Sequence, residues 1–411
     1  MNKILATIIL CFCLLSSNLS AVVKNHSMLL DGSETLAQYG IDSLGNWWAI
    51  TSPFQNQFRV YINGQESAVY DSLTGLQFSA SGEHWAYFGR DNIGWNLITD
   101  SEVISLHATD VGQIKFSYYD DVLAYSYYDG NLDYLVFGDK EITAYGRYGE
   151  FYISPDGRRY AYGISRGNNF AMNINGRETT TFDDVKPIGF WHDGAFMYVA
   201  SSGTGSWELY KNEEAISEVY TSIPETKINR TGTTLGMITE LSSGYFQNVL
   251  MNDEYYELLF SSQYDNMSNL TIHPYEPMIA CHATHNDSYY VLLNSTEFPA
   301  EETSTPPTFT YDGSELYFLT CRISCFLSVN GKRYKIPNQL DTEIEYAKKP
   351  GSNTIAFPTS TSITMENIEE GQLYADLLID YMSNVIYNRI EDTYEALGSI
   401  GNRLYLMQIK P

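Results

Sequence analysis

A turn signal returns along this chain at an almost constant interval. Its clearest copy is Phe151-Tyr152-Ile153-Ser154-Pro155-Asp156-Gly157-Arg158-Arg159-Tyr160-Ala161-Tyr162-Gly163, where two alternating apolar and aromatic runs flank Pro-Asp-Gly. Alternation on both sides of residues that favour a chain reversal is the pattern of strand, turn and strand. The same frame fits turn positions 45, 82, 120, 157, 194, 232, 276, 313, 351 and 401, which differ by 37, 38, 37, 37, 38, 44, 37, 38 and 50 residues. Self-similarity at a fixed period of this size belongs to solenoids, propellers and arrays. The fold question is therefore what one repeat contains.

A second turn keeps step with the first. Asn63-Gly64, Asp100-Ser101, Gly138-Asp139, Asn175-Gly176, Asn212-Glu213 and Asn294-Ser295 each begin 18 residues after the preceding turn position, and Asn330-Gly331 begins 17 after its own. Asn-Gly between alternating runs is a strong hairpin signal, because both central residues must tolerate positive φ. Each unit then holds four short strands, and four-stranded antiparallel units at a fixed period are propeller blades. The expected fold is all-β: a single closed β-propeller of about ten blades. Eight or nine follow if the weak units near Gly232 and Gly401 are insertions, and the apolar spacing of residues 372–382 also fits a helix.

The ends of the chain fit closure. The last unit stops at Arg403-Leu404-Tyr405-Leu406-Met407-Gln408-Ile409, read as its second strand. Residues 27–36 read as the missing hairpin with its own Asp31-Gly32 turn, so N-terminal strands would complete the last blade and leave no open sheet edge. Ahead of them, Met1-Asn2-Lys3, an apolar run over 4–15 and the small, polar stretch 16–21 read as a secretory signal peptide. The run is short of the roughly 20 residues of a spanning helix, and no later segment approaches that length, so no membrane span is expected after cleavage. The expected division is a signal peptide over 1–21 and a propeller over 22–411, exported to a periplasmic or extracellular location.

Without the signal, 23 lysines and arginines face 50 aspartates and glutamates, a net charge near −27. Such an excess repels phosphate backbones, so no nucleic-acid partner is expected. The 34 tyrosines suit half-buried strands, where aromatic rings pack well on a pleated surface. Of the three later cysteines, Cys321 and Cys325 flank Arg322-Ile323-Ser324, which reads as a link between adjacent strands. In an oxidising compartment they form the natural disulfide pair, leaving Cys281 as a buried small apolar residue.

Ser154-Pro155-Asp156-Gly157 followed by Tyr160-Ala161-Tyr162 resembles the WD40-like repeat of TolB-type propellers. Thr310-Tyr311-Asp312-Gly313 with Leu316-Tyr317-Phe318, and Phe78-Ser79-Ala80-Ser81-Gly82 with Trp85-Ala86-Tyr87, look like degenerate copies. The frame covers nearly the whole chain after residue 21. The resemblance implies mostly extracytoplasmic protein-binding scaffolds. No counterpart of TolB's N-terminal domain is expected, so a transport-complex role does not carry over.

In such a blade the Asp-Gly and Asn-Gly turns share one end. The other end is built from links between second and third strands and between blades. Here those links are polar and aromatic, and Arg90, Asp91, Trp95, Tyr127, Tyr128, Asp129, Arg166, Asn168 and Trp207 are the candidate ligand-binding residues. Clustered Tyr, Trp and Arg suit protein-binding hot spots and equally suit sugar stacking. Cys281-His282-Ala283-Thr284-His285 with His273 upstream suggests a metal, but strand alternation puts His282 and His285 on opposite faces. The acid pairs Asp120-Asp121 and Asp183-Asp184 are ordinary in a chain this acidic and do not establish a glycosidase. Gly203-Thr204-Gly205-Ser206 is not a nucleophile elbow, and only ten residues follow the last turn, which leaves no room for a hydrolase domain. No cofactor motif is present. The expected function is a non-catalytic module binding a protein or peptide. A carbohydrate-binding or carbohydrate-cleaving propeller is the second reading, and an envelope component with no discrete ligand the third.

Overall fold

The computed structural model describes residues 23–42, 44–252, 258–310, 313–321, 325–336, 347–348, 354–358, 363–367, 372–376, 381–383, 385–388 and 391–410. They form nine four-stranded antiparallel sheets and a tenth of five strands, and no helix occurs among the described residues. In the nine, strand order in space follows strand order in sequence, as in propeller blades. Blades 1 to 9 span 35–66, 72–105, 110–143, 147–178, 184–215, 222–260, 266–299, 308–336 and 347–376, and blade 10 is built on 381–410. The chain divides into two compact units, Met1–Pro53 with Val60–Glu66 and Ile344–Pro411, and Phe54–Arg59 with Ser67–Glu343. Within the second unit, the first strands of blades 2 to 8 pack one against the next.

In blades 3, 4 and 6 the turn between first and second strands is held by a short polar side chain. The Ser154 hydroxyl accepts from the Arg159 amide at 3.0 Å, Ser117 from Val122 at 2.8 Å, and the Asn229 side chain from Thr234 at 3.1 Å. Gly157 N–H donates to Ser154 O at 2.8 Å with φ 67°, a left-handed conformation that glycine reaches without strain. Gly232 carries a second constraint: a Cβ there would lie 2.7 Å from the Phe190 carbonyl of the preceding blade.

The second repeating turn uses asparagine twice over. Asn63, Asn175, Asn212, Asn294 and Asn330 all have φ between 47° and 54°. Each side-chain oxygen accepts the amide that opens the blade's second strand, at 2.8–2.9 Å from Trp47, Tyr160, Phe196, Ile279 and Leu316. One residue type therefore supplies both the backbone conformation and the acceptor, and the following residue need not be glycine.

A third device recurs in the links between blades: Ser/Thr, an aromatic three residues on, and Asp/Thr next to it. It is seen in Ser67/Tyr70/Asp71, Thr179/Phe182/Asp183, Ser217/Tyr220/Thr221 and Ser261/Tyr264/Asp265. The aromatic pairs by isolated bridges with the third strand, as Phe58 with Tyr70, Phe170 with Phe182, Trp207 with Tyr220 and Phe246 with Tyr264. The next amide then bonds the second strand of the following blade, as Asp71 N to Arg90 O at 2.7 Å and Asp265 N to Thr284 O at 2.8 Å. These rings are nearly fully buried, so each link fastens one blade to the next.

The first strands of blades 2, 3, 4, 6 and 7 carry a register shift, the mark of a bulge, and in blades 4 and 7 amides beside it are taken by the neighbouring blade. Glu225 accepts from Asn269 N at 2.9 Å and Leu270 N at 2.8 Å, and Gln113 accepts from Phe151 N at 3.3 Å. Apolar clusters lie between consecutive sheets, the largest including Trp191, Met197, Tyr220, Leu235 and Met251 of blades 5 and 6.

Three expectations are corrected in and around blade 10. Its first turn is at Glu391-Asp392, where Asp392 has φ 52°, and Gly401 joins the second and third strands, Thr393–Ile400 and Arg403–Lys410. The N-terminal contribution is one strand, Val23–Leu30, paired antiparallel with Arg403–Lys410; Thr35–Ile41 is already the first strand of blade 1. Gln372–Asp376 is a strand, because an apolar run that pairs with Ile363–Asn367 meets its backbone hydrogen bonds in the ladder. Gly351 and residues 1–22 lie outside the described residues.

Candidate functional site

The nine candidate residues do lie at the end of the blades formed by links and second-to-third-strand turns. Most of them serve their own turn. Asp91 Oδ1 accepts the Ile93 and Gly94 amides at 2.8 and 3.0 Å, and its Oδ2 accepts from Asn96 at 3.1 Å. Asp129 repeats the arrangement with Asn131 and Leu132, both at 2.7 Å, and the Tyr134 hydroxyl at 3.1 Å. In both, the donated amides hold the carboxyl below its usual range. This is an Asx-type cap for an irregular turn.

Trp95 is only 9 % exposed and belongs to the core between blades 2 and 3, with Arg90 stacked on its ring at 5.9 Å. Trp207 is half-buried under Lys186, whose ammonium stands 4.5 Å from the ring and donates to Ile223 O at 3.2 Å. Arg166 is engaged in a two-point ion pair with Glu178 at 2.9 and 2.7 Å. Asn168 is exposed in its turn. The strand alternation that buries Trp95 was present in the sequence, since Trp-Asn-Leu-Ile opens a third strand rather than closing a loop.

Tyrosines gather at blade 3. Tyr127 and Tyr134 face each other across the ladder with rings stacked at 4.9 Å and 14°, and Tyr125 extends the row at 6.4 Å. The Tyr127 hydroxyl donates to Glu141 at 2.8 Å, and burial with that carboxylate pushes the phenol well above its ordinary range. Tyr128 is 38 % exposed and Tyr145, in the link to blade 4 and near Tyr134, is 64 % exposed. Sequence reading missed Tyr134, Tyr145 and Glu141; the signal available was the tyrosine density over 125–148.

The histidines do not converge. His273 is buried, bonds Gly313 O at 2.8 Å and accepts the Tyr275 and Glu276 amides through Nδ1. His282 bridges Asn269 and Thr305, while His285 lies 3.9 Å from Asp265. Among the described residues no three His, Cys, Asp or Glu side chains form a group able to hold a metal ion. Cys281 is a buried free thiol whose pKa burial pushes up to about 12, consistent with an inert core residue. Cys325 is disulfide-bonded, and the residue opposite it in the ladder is Cys321, whose side chain lies outside the described residues.

The chain matches no protein-family model and no curated protein. It is similar to solved structures. One is an oligogalacturonate lyase in complex with manganese, at 10 % identity and TM-score 0.40 over 92 % of this chain and 96 % of that one. Another is Porphyromonas gingivalis dipeptidyl peptidase 4, at 10 % identity and TM-score 0.46 over 89 % and 64 %. A third is the Myceliophteria thermophila Cps50 (Swd1) β-propeller domain, at 8 % identity and TM-score 0.30 over 94 % and 99 %. At these identities the likeness concerns the fold alone.

The expectation of a non-catalytic module binding a protein or peptide is corrected. Two of these three similar structures carry the names of enzymes. The residues meant to carry the binding surface are largely engaged in turns, an ion pair and the core.

Proposed function

We propose that this chain is an exported propeller of the TolB-type kind that handles carbohydrate, taking a neutral or basic glycan at the tyrosine-rich end of blade 3. The observation that carries the reading is exposed tyrosine rings beside carboxylates: Tyr128 and Tyr145 stand clear of the core at the same end as the Tyr127–Tyr134 stack, Asp129 and Glu141. A sugar presents an apolar C–H face and a rim of hydroxyls. Aromatic rings bury the first at low entropic cost, and carboxylates accept hydrogen bonds from the second. A net charge of −26 disfavours polyanionic glycans. Export is supported by the pattern of residues 1–21 and by a disulfide at Cys325, for which we take Cys321 as the partner. The Ser154-Pro155-Asp156-Gly157 frame supports the TolB-type assignment.

The test is calorimetric titration of residues 22–411 with neutral, amino-sugar and uronate oligosaccharides, with reducing ends assayed in the same samples. Binding of neutral or amino-sugar chains is expected, weakened about tenfold in Tyr128→Ala/Tyr145→Ala, in line with roughly 0.5–1.5 kcal/mol per ring. No binding or cleavage of any glycan, or a double variant that binds like the parent, removes the reading.

A further inference from the structure

At the opposite end of the blades, the second repeating turns of blades 4 and 5 enclose a pocket of about 350 Å³ lined by Ile174, Asn175, Arg177, Thr179, Asn212 and Glu213. That volume is at the small end of the range for ligand sites. Asn175, Arg177, Asn212 and Glu213 are solvent-exposed, and Thr179 is buried. Arg177 and Glu213 line the same pocket, and among the described residues neither side chain makes an ion pair or hydrogen bond, although ion pairs engage Lys115, Arg147, Arg166 and Lys211.

The two asparagines are fixed by the fold. Asn175 and Asn212 each commit the side-chain oxygen to a backbone amide at 2.9 Å, which leaves the exposed Nδ2 donors with no partner among the described residues. Thr179 is buried, its hydroxyl accepting from Met172 N and donating to Thr180 O, both at 3.0 Å. Behind Thr179 lies Tyr198, fully buried, with its hydroxyl beside that of Thr179.

We propose that this pocket binds a small zwitterion of the free α-amino-acid class. Arg177 and the two asparagine amides would take the carboxylate, Glu213 the ammonium, and Ile174 a short apolar side chain. A guanidinium fork suits a carboxylate in two-point contact. One cation and one anion that line the same pocket without forming an ion pair with each other select a ligand bearing both charges over one bearing either alone. This site is independent of the glycan reading.

The experiment uses L-leucine, leucinamide and N-acetylleucine as probes in thermal-shift and calorimetric titrations of residues 22–411. Leucine is expected to raise Tm and bind, with both blocked analogues at least tenfold weaker. Arg177→Ala should abolish the response to leucine and N-acetylleucine alike, and Glu213→Gln should reduce leucine to the level of N-acetylleucine. Both side chains are exposed and have no partner among the described residues, so each variant should melt like the parent without ligand. The proposal is overturned if leucine does not bind at millimolar concentration, if an analogue with one charge binds equally well, or if both variants bind leucine like the parent.

Discussion

The asparagines of the repeated turns show how much one residue type does here. Asn294 holds φ 52° and accepts Ile279 N at 2.9 Å, while its carbonyl receives Asn248 Nδ2 at 2.8 Å. Ile279 is fully buried, so its amide has no water to turn to. Asn294→Ala strands that amide, at about 1–3 kcal/mol, and puts a residue without asparagine's local hydrogen bonding into left-handed backbone, at about 1–2 kcal/mol more. Asn294→Gly relieves the second cost alone. The expected order of urea midpoints is parent, then glycine, then alanine; equal midpoints for all three would remove this account. The sequence announced these turns, but it presented them as Asn-Gly hairpins and hid the side-chain bond that also makes Asn-Glu and Asn-Ser acceptable.

Between elements, the contacts that matter are those sequence reading did not foresee. His282, on the second strand of blade 7, spans the bulge of its own first strand and the link to blade 8. Its Nε2 donates to Thr305 O at 3.1 Å and its Nδ1 accepts from Asn269 Nδ2 at 3.0 Å. Burial lowers its pKa below the ordinary value of 6.5, against the opposing pull of the Thr305 carbonyl and Glu225. The unfolded chain therefore takes up a proton first as pH falls. The stability tied to neutral His282 is complete above about pH 6.5 and is lost as pH drops through the folded pKa. Urea midpoints between pH 7.5 and 5.5 should fall for the parent and fall less for His282→Gln; identical slopes would exclude this histidine as the cause. The Ser/Thr, aromatic, Asp/Thr device was visible in four links. Its role was not, because a buried bridge between a link and a third strand leaves no periodic mark.

For the whole molecule, the strand Val23–Leu30 is the element most exposed to accident. It covers the edge of Arg403–Lys410 with registered pairs from Val23 with Lys410 to Leu30 with Leu404. Signal cleavage after residue 21 would spare it by one residue, whereas loss of residues 22–30 would bare eight residues of strand edge, Arg403–Lys410. An open edge is a template for pairing with another chain. A chain starting at residue 31 should elute partly as dimers or larger species at micromolar concentration and unfold at lower temperature. A monomer with unchanged Tm would show that the strand is dispensable.

By itself the sequence determined the repeat, the four strands of a blade and the order of the blades, because turn chemistry and strand alternation are local and recur. It also marked the end of the blades where polar and aromatic links collect. Only the tertiary structure decided that Trp95 is core, that Asp91 and Asp129 cap their own turns, and that one N-terminal strand rather than a hairpin completes blade 10. It alone brought Arg177 and Glu213 to one pocket. A side chain's neighbours across a blade interface are set by packing between segments 37 or 38 residues apart, and no spacing within a repeat encodes them.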